Sequence, residues 1–266
     1  MRSLVTSCFA ICAACGGGGS GDDQETRDAS GVPGKTGFVQ VTSRSFMASG
    51  SSFNSGTASA TLFTPTACTE QVIGECSLYT CPTQFPPTTY HSAGTITITG
   101  ATLPITLTPM TDMTYETYVT QALFSGGETL SASATGAGIV AFAGTVTAPA
   151  RITITAPAPP SNDSITIDRA QPFHATWTGA SAGKVVLRFS GPTGATLACS
   201  YAANTNTADV PASALAMVPA GLGRFDASTE TLEPIDAGDW RINLQATFDA
   251  VWTDMNVVSN VDVTYQ

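Results

Sequence analysis

The chain has 266 residues, a formal charge of −10 and a sequence pI near 4.4, and only 11% of its residues are charged. With Lys35 and Lys184 as its only lysines it lacks the clustered basic groups that a phosphate backbone needs, which excludes a nucleic-acid partner and a polybasic membrane patch. A soluble face with so few charges must be made largely of Thr, Ser, Gln and Asn, and β-branched Thr favours strands.

Arg2, the apolar run Leu4 to Ala14 and the small residues after it have the layout of a secretory signal. The run is too short to span a bilayer, which takes about 20 helical residues. The Ala13-Ala14-Cys15-Gly16 junction resembles the lipobox of bacterial lipoproteins, in which the cysteine thiol receives a diacylglyceryl group and becomes the mature N-terminus. It departs from that pattern at Cys12, where leucine is usual, and Cys12 and Ala14 are also small enough for an ordinary signal-peptidase cut. The resemblance implies a signal peptide over residues 1–14, lipidation at Cys15, export, and a lipid anchor holding the protein in the cell envelope at the outer membrane. Residues 15–37 then form the acylated cysteine and a disordered tether, since Gly16 to Gly37 has almost no large apolar groups. Such a coil spans roughly 25 Å. Its acids, Asp22, Asp23, Glu25 and Asp28, read as a solvated spacer and lack the turn geometry of a calcium loop.

From Phe38 the pattern is alternation with a period of two, the mark of half-buried strands. Thr95 to Thr99, Ile105 to Thr108 and Ile139 to Thr147 are clear cases, separated by the turn signals Ser49-Gly50-Ser51, Ser125-Gly126-Gly127 and Gly136-Ala137-Gly138. Short strands with frequent turns predict a β-sandwich domain over 38–149. A boundary is expected at Ala148-Pro149, before a second domain over 150–266 that opens with Arg151-Ile152-Thr153-Ile154-Thr155 and the breaker Pro157 to Pro160. In Phe173 to Thr178, Phe173, Ala175 and Trp177 share the inner face and His174, Thr176 and Thr178 the outer. In Asp239 to Asp249, Trp240, Ile242, Leu244, Ala246 and Phe248 face inward and the polar residues between them outward. Trp177, Trp240 and Phe248 are therefore expected in one core. A short helix is predicted only at Pro211 to Val218. The fold class is all-β, with two tandem β-sandwich domains, the second immunoglobulin-like.

The succession Trp177-Thr178-Gly179, Lys184 to Phe189, Leu197-Ala198-Cys199, Val210-Pro211-Ala212 and Gly238-Asp239-Trp240 resembles the fibronectin-type or immunoglobulin-like domains of envelope lipoproteins from Gram-negative soil bacteria. The resemblance covers the second half of the chain. It implies an architecture and no catalytic residue. It departs from true immunoglobulin domains because Cys199 has no second cysteine within its domain.

Cys8 and Cys12 leave with the signal, so Cys68, Cys76, Cys81 and Cys199 remain as disulfide candidates in an oxidising compartment, with three pairings open. Cys68 and Cys76 flank a turn at Glu70 to Gly74 and could bridge a hairpin, leaving Cys81 for Cys199. Metal binding by the clustered cysteines is disfavoured, because neither spacing is the short C-x₂-C of zinc sites. No cofactor is indicated.

Gly179-Ala180-Ser181-Ala182-Gly183 matches the G-x-S-x-G nucleophile elbow, which requires a strand before the serine and a helix after it. Here a strand follows, so the segment reads as a hairpin loop, and His174 falls on a polar strand face. His91 is the other histidine. The acids Asp226, Glu230, Glu233, Asp236 and Asp239 read as a solvated acidic edge. Tyr79, Phe85 and Tyr90, on and beside the extended loop Cys81 to Tyr90, could stack on a protein or polysaccharide ligand or cap the first core. The expected function is a non-catalytic envelope lipoprotein that binds or scaffolds through β-sandwich surfaces; the alternative is an envelope serine hydrolase acting through Ser181.

Overall fold

Alternating sequences leave one face of each strand to be buried, and in the computed structural model three sheets share that task. The structure describes residues 35–48, 51–63, 69–80, 89–159, 164–192, 194–253, 258 and 261–266. The expected signal peptide, Cys15, the expected tether up to residue 34, Cys68, Cys81 and Phe85 lie outside the described residues. In chain order the strands are β1 (Thr36–Ala48), β2 (Ser51–Phe63), β3 (Thr69–Ile73), β4 (Cys76–Thr80), β5 (Ile96–Thr99), β6 (Ile105–Leu107), β7 (Tyr115–Val119), β8 (Thr129–Ala134), β9 (Phe142–Thr147) and β10 (Thr153–Ala156). There follow β11 (Ser164–Ile167), β12 (Phe173–Thr178), β13 (Lys184–Ser190), β14 (Thr196–Ala202), β15 (Thr207–Val210), β16 (Gly221–Ala237), β17 (Trp240–Asp249), β18 (Val251–Trp252) and β19 (Val261–Tyr265). Among the described residues the helical elements are a 3₁₀ turn at Ala203–Thr205 and α1 (Ala212–Leu215), the latter where the proline-initiated helix was predicted.

The large sheet runs β3-β4-β14-β13-β16-β17-β1-β2-β7, with β19 on β16 and β11 on β19. A second sheet runs β15-β12-β10-β18 and a third β6-β5-β8-β9. Neighbours are antiparallel except β1 with β17, β10 with β18 and β11 with β19.

The chain is all-β, and its strands sandwich two cores. One holds Trp177, Leu187, Phe189, Leu197, Phe225, Trp252, Val263 and Tyr265; the other holds Val39, Val41, Leu62, Ile96, Ile98, Tyr115, Leu130, Trp240, Leu244 and Phe248. The expected division at 149/150 does not separate them. β17, from the second half, pairs with β1 along Thr36↔Arg241 to Ser43↔Phe248 and buries its apolar face in the first half's core. Conversely β4 pairs with β14 and lends Cys76 and Leu78 to the second half's core. The described strands accordingly belong to one compact unit, Pro33–Gln266. The inward face read for β17 is correct, but Trp240 and Phe248 do not share a core with Trp177.

Two glycine-rich readings change as well. Thr36 and Gly37, expected in the tether, already lie in β1; a Cβ on Gly37 would come within 2.3 Å of Leu62 Cδ2, so the glycine permits close strand packing. Gly179 to Gly183 is not a hairpin loop, because β12 belongs to the second sheet and β13 to the large one; the segment carries the chain from one layer to the other.

Among the described residues a disulfide joins Cys76 to Cys199, register partners on adjacent antiparallel strands with Cα atoms 4.0 Å apart. This corrects the expected Cys68–Cys76 and Cys81–Cys199 pairing. The local reading failed because β4 keeps β3 on one edge and pairs on its other edge with β14, a strand far along the sequence that brings Cys199 opposite Cys76.

Candidate functional site

The outward face of the large sheet gathers a connected set of polar side chains, several of them buried. Alternation sends Arg188 of β13, Asp226, Ser228 and Glu230 of β16, Gln245 and Asp249 of β17, and Gln40 and Arg44 of β1 to the side opposite the cores. Register then brings them together: Arg188 is opposite Asp226, Ser228 opposite Asp249, and Gln40 opposite Gln245. Arg188 Nη1 donates to Ser228 Oγ at 2.9 Å and to Asp226 Oδ1 at 3.4 Å, and Nη2 donates to Glu230 Oε1. Ser228 Oγ also donates to Glu230 Oε1, at 2.9 Å. The other Glu230 oxygen accepts from Gln245 Nε2 at 2.9 Å, and Gln245 Oε1 accepts from Gln40 Nε2 at 2.8 Å. Arg44 Nε donates to Asp249 Oδ2 at 2.6 Å.

These groups are largely withdrawn from water: Arg188, Ser228, Glu230, Gln245 and Asp249 are all buried. The expected solvated acidic edge is thus corrected for Asp226 and Glu230, which serve as partners of a buried guanidinium. The polar face of β17 is likewise covered at Asn243, Gln245 and Asp249, since long side chains on neighbouring strands lie against one another. Burial disfavours the Arg188 charge, but Glu230 and Asp226 outweigh it and hold the group protonated. At Asp226 burial dominates: its carboxyl is pushed up to about 6, with Asp249 and Glu230 adding to the rise and Arg188 opposing it.

The other candidates lie apart from this strip. Ser181 is exposed on the connection between sheets. His174 Nδ1 lies 2.7 Å from Asp209 Oδ1, both exposed, on paired strands β12 and β15. His91 sets its ring against the Trp240 edge at 5.0 Å, beside Lys35, whose Nζ lies 5.9 Å from the Trp240 ring centroid. Tyr79 is on β4 and its hydroxyl donates to Glu70 Oε1 at 3.0 Å; Tyr90 is half-buried and bridges to Phe63. Among the described residues no group of three or more His, Cys, Asp or Glu side chains is placed to hold a metal ion, and no helix is long and apolar enough to cross a membrane.

The third sheet presents a different surface. Thr106, Thr97 and Ser133 lie side by side across β6, β5 and β8, and Thr99, Ser131 and Thr145 across β5, β8 and β9. These residues are exposed or half-buried and uncharged. Residues of β13, β16 and β17 form the buried strip that the sequence did not announce. Their charged side chains were visible, but which of them are neighbours depends on register between strands distant in the chain.

No family model matches the chain, and no curated protein matches it. Among solved structures, one described as giving structural insight into host cell surface retention of a 1.5-MDa bacterial ice-binding adhesin aligns at 17% identity and a TM-score of 0.22, covering 87% of this chain and 66% of that one. A tetra-tandem repeat from the extending region of a large adhesion protein aligns at 12% identity and a TM-score of 0.22, covering 80% and 73%. A Ca²⁺-stabilised adhesin that helps an Antarctic bacterium reach out and bind ice aligns at 14% identity and a TM-score of 0.21, covering 85% and 65%. The chain thus spans just under two thirds of the first and third of these structures. At these scores the alignments do not define a shared fold.

Proposed function

We propose that the protein is a non-catalytic, exported envelope protein, lipid-anchored through Cys15, that binds or scaffolds through its sheet surfaces. The observation that carries this reading is the use made of its ionisable groups. Arg188, Asp226 and Glu230 are engaged with one another across strands, Arg44 with Asp249, and His174 with Asp209, so the polar groups that the fold gathers fasten strands together. The uncharged hydroxyl rows on the third sheet are a surface suited to a protein or polysaccharide ligand, which they would meet through many weak hydrogen bonds. Stable attachment to the outer membrane would come from the acyl chains, each buried methylene contributing about 0.8 kcal/mol.

Metabolic labelling with palmitate tests the anchor. The wild type should carry label and sediment with membranes, and Cys15→Ser should lose both; labelling unchanged in the variant would remove the lipoprotein reading. A fluorophosphonate probe tests the non-catalytic part. Ser181 should stay unmodified, because no helix N-terminus follows it to offer oxyanion donors. Stoichiometric labelling that disappears in Ser181→Ala would establish a serine hydrolase instead.

A further inference from the structure

The polar strip crosses the line where the two cores meet. β16 is the strand common to both: from Lys184↔Glu230 to Ser190↔Arg224 it pairs with β13 over one core, and from Ser228↔Asp249 to Ala237↔Trp240 it pairs with β17 over the other. The hydrogen-bond chain Arg188, Glu230, Gln245, Gln40 passes through this crossing and ties β13 to β1. We propose that this strip is an acid-strengthened interlock between the two cores, in which taking up a proton at Asp226 tightens the seam.

The geometry explains why Asp226 is the responsive member. Its cation, Arg188, stands 3.4 Å away and is already engaged by Ser228 and Glu230, so Arg188 stays bonded when Asp226 loses its charge. Against that weak contact Asp226 shares Arg188 with Glu230 of its own strand, and Asp249 of β17 stands opposite Ser228, two residues along β16; both like charges oppose its ionisation. Arg44 of β1 is committed to Asp249, Arg224 is paired with Asp262 of β19 at 2.8 Å, Lys184 of β13 lies opposite Glu230, and Tyr265 of β19 feels the Asp226 charge while donating to Arg224 O. The proton comes from solvent, which the 30% exposed side chain of Asp226 can reach.

The direction follows from linkage. The Asp226 carboxyl rises from 3.8 to about 6 on folding, so between those values the folded state holds more protons than the unfolded one. Its contribution is fully present below the unfolded value and is lost as pH rises through about 6. Asp112, Glu128 and Asp239 are shifted the other way, so their contributions are lost only as pH falls below about 4.5 and change little between about pH 5.0 and 7.5.

Thermal melting of the purified protein at about pH 5.0 and about pH 7.5 tests the interlock. The wild type should melt roughly 5 °C higher at the acidic pH. Asp226→Asn should abolish most of that difference and melt no lower than the wild type at the higher pH. A wild-type melting point that is flat or falls on acidification, or a variant that keeps the difference, would overturn the proposal. If the variant does not fold, carboxyl-carbon NMR of the wild type decides: an Asp226 midpoint between about pH 5 and 7 supports the interlock, and one below about pH 4.5 sinks it.

Discussion

Ser43 is a hydroxyl on the core-facing side of β1, at a position where alternation would place an apolar side chain. Its Oγ accepts from the backbone N–H of Leu123 at 2.7 Å and of Phe124 at 2.9 Å and donates to Phe124 O at 3.1 Å, with no exposure to solvent. One side chain therefore satisfies the backbone of a buried connection from β7 to β8. Ser43→Ala leaves those groups unpaired and should cost about 1–3 kcal/mol in urea unfolding; a variant as stable as the wild type would mean that water replaces the hydroxyl. Trp240 is 4% exposed and packed with His91 and Lys35. Trp240→Ala should cost about 3–5 kcal/mol, and because it belongs to the core that holds Val39, Ile96 and Phe142, the loss falls on the core of the first half of the chain. Near-ultraviolet signals from Trp177 that vanish before those of the first core would contradict that placement.

At the scale of elements, alternation was a sound guide to strands and faces. Phe173 to Thr178 and the strand from Trp240 form as their patterns predict, with Ala175, Trp177, Ile242 and Leu244 buried and His174 exposed. Partnership was not legible, because a period of two says which side of a strand is buried but not which strand lies beside it. Hence Arg188, Glu230 and Gln245 gave no sign of forming one strip, and Cys76 was assigned by proximity in sequence to the wrong cysteine. The disulfide closes a separation of 123 residues, and in the chain-entropy picture it stabilises by roughly 4–5 kcal/mol. Peptide mapping without reduction should recover a Cys76–Cys199 linkage. Thr69 and Thr80 are register partners in β3 and β4, and Cys68 and Cys81 are their sequence neighbours, so the remaining linkage expected in the same map is Cys68–Cys81. A Cys68–Cys76 peptide would contradict both.

For the molecule as a whole, the shared sheet decides whether the halves are separable. The sequence suggests a cut at 149/150, where Ala148-Pro149 precedes a new Ile-Thr run, and each half has enough apolar residues to suggest independence. Yet a fragment ending at residue 149 lacks β17, whose Trp240, Ile242, Leu244, Ala246 and Phe248 are buried among that fragment's own side chains and whose backbone pairs with eight consecutive residues of β1. At about 1.5–3 kcal/mol for each fully buried large apolar side chain, losing Trp240, Ile242, Leu244 and Phe248 removes about 6–12 kcal/mol, as much as the roughly 5–15 kcal/mol by which domains are ordinarily stable. A fragment beginning at residue 150 loses Cys76 and Leu78 from its core and the strand that covers β14, while β17 keeps its apolar face without the first half to bury it. Neither fragment should fold alone, whereas residues 35–266 should unfold in one transition. Expression of 35–149 and 150–266 separately, followed by circular dichroism and amide exchange, checks this: two well-dispersed, protected fragments would show that the shared sheet is dispensable and that the boundary read from the sequence is a true domain division.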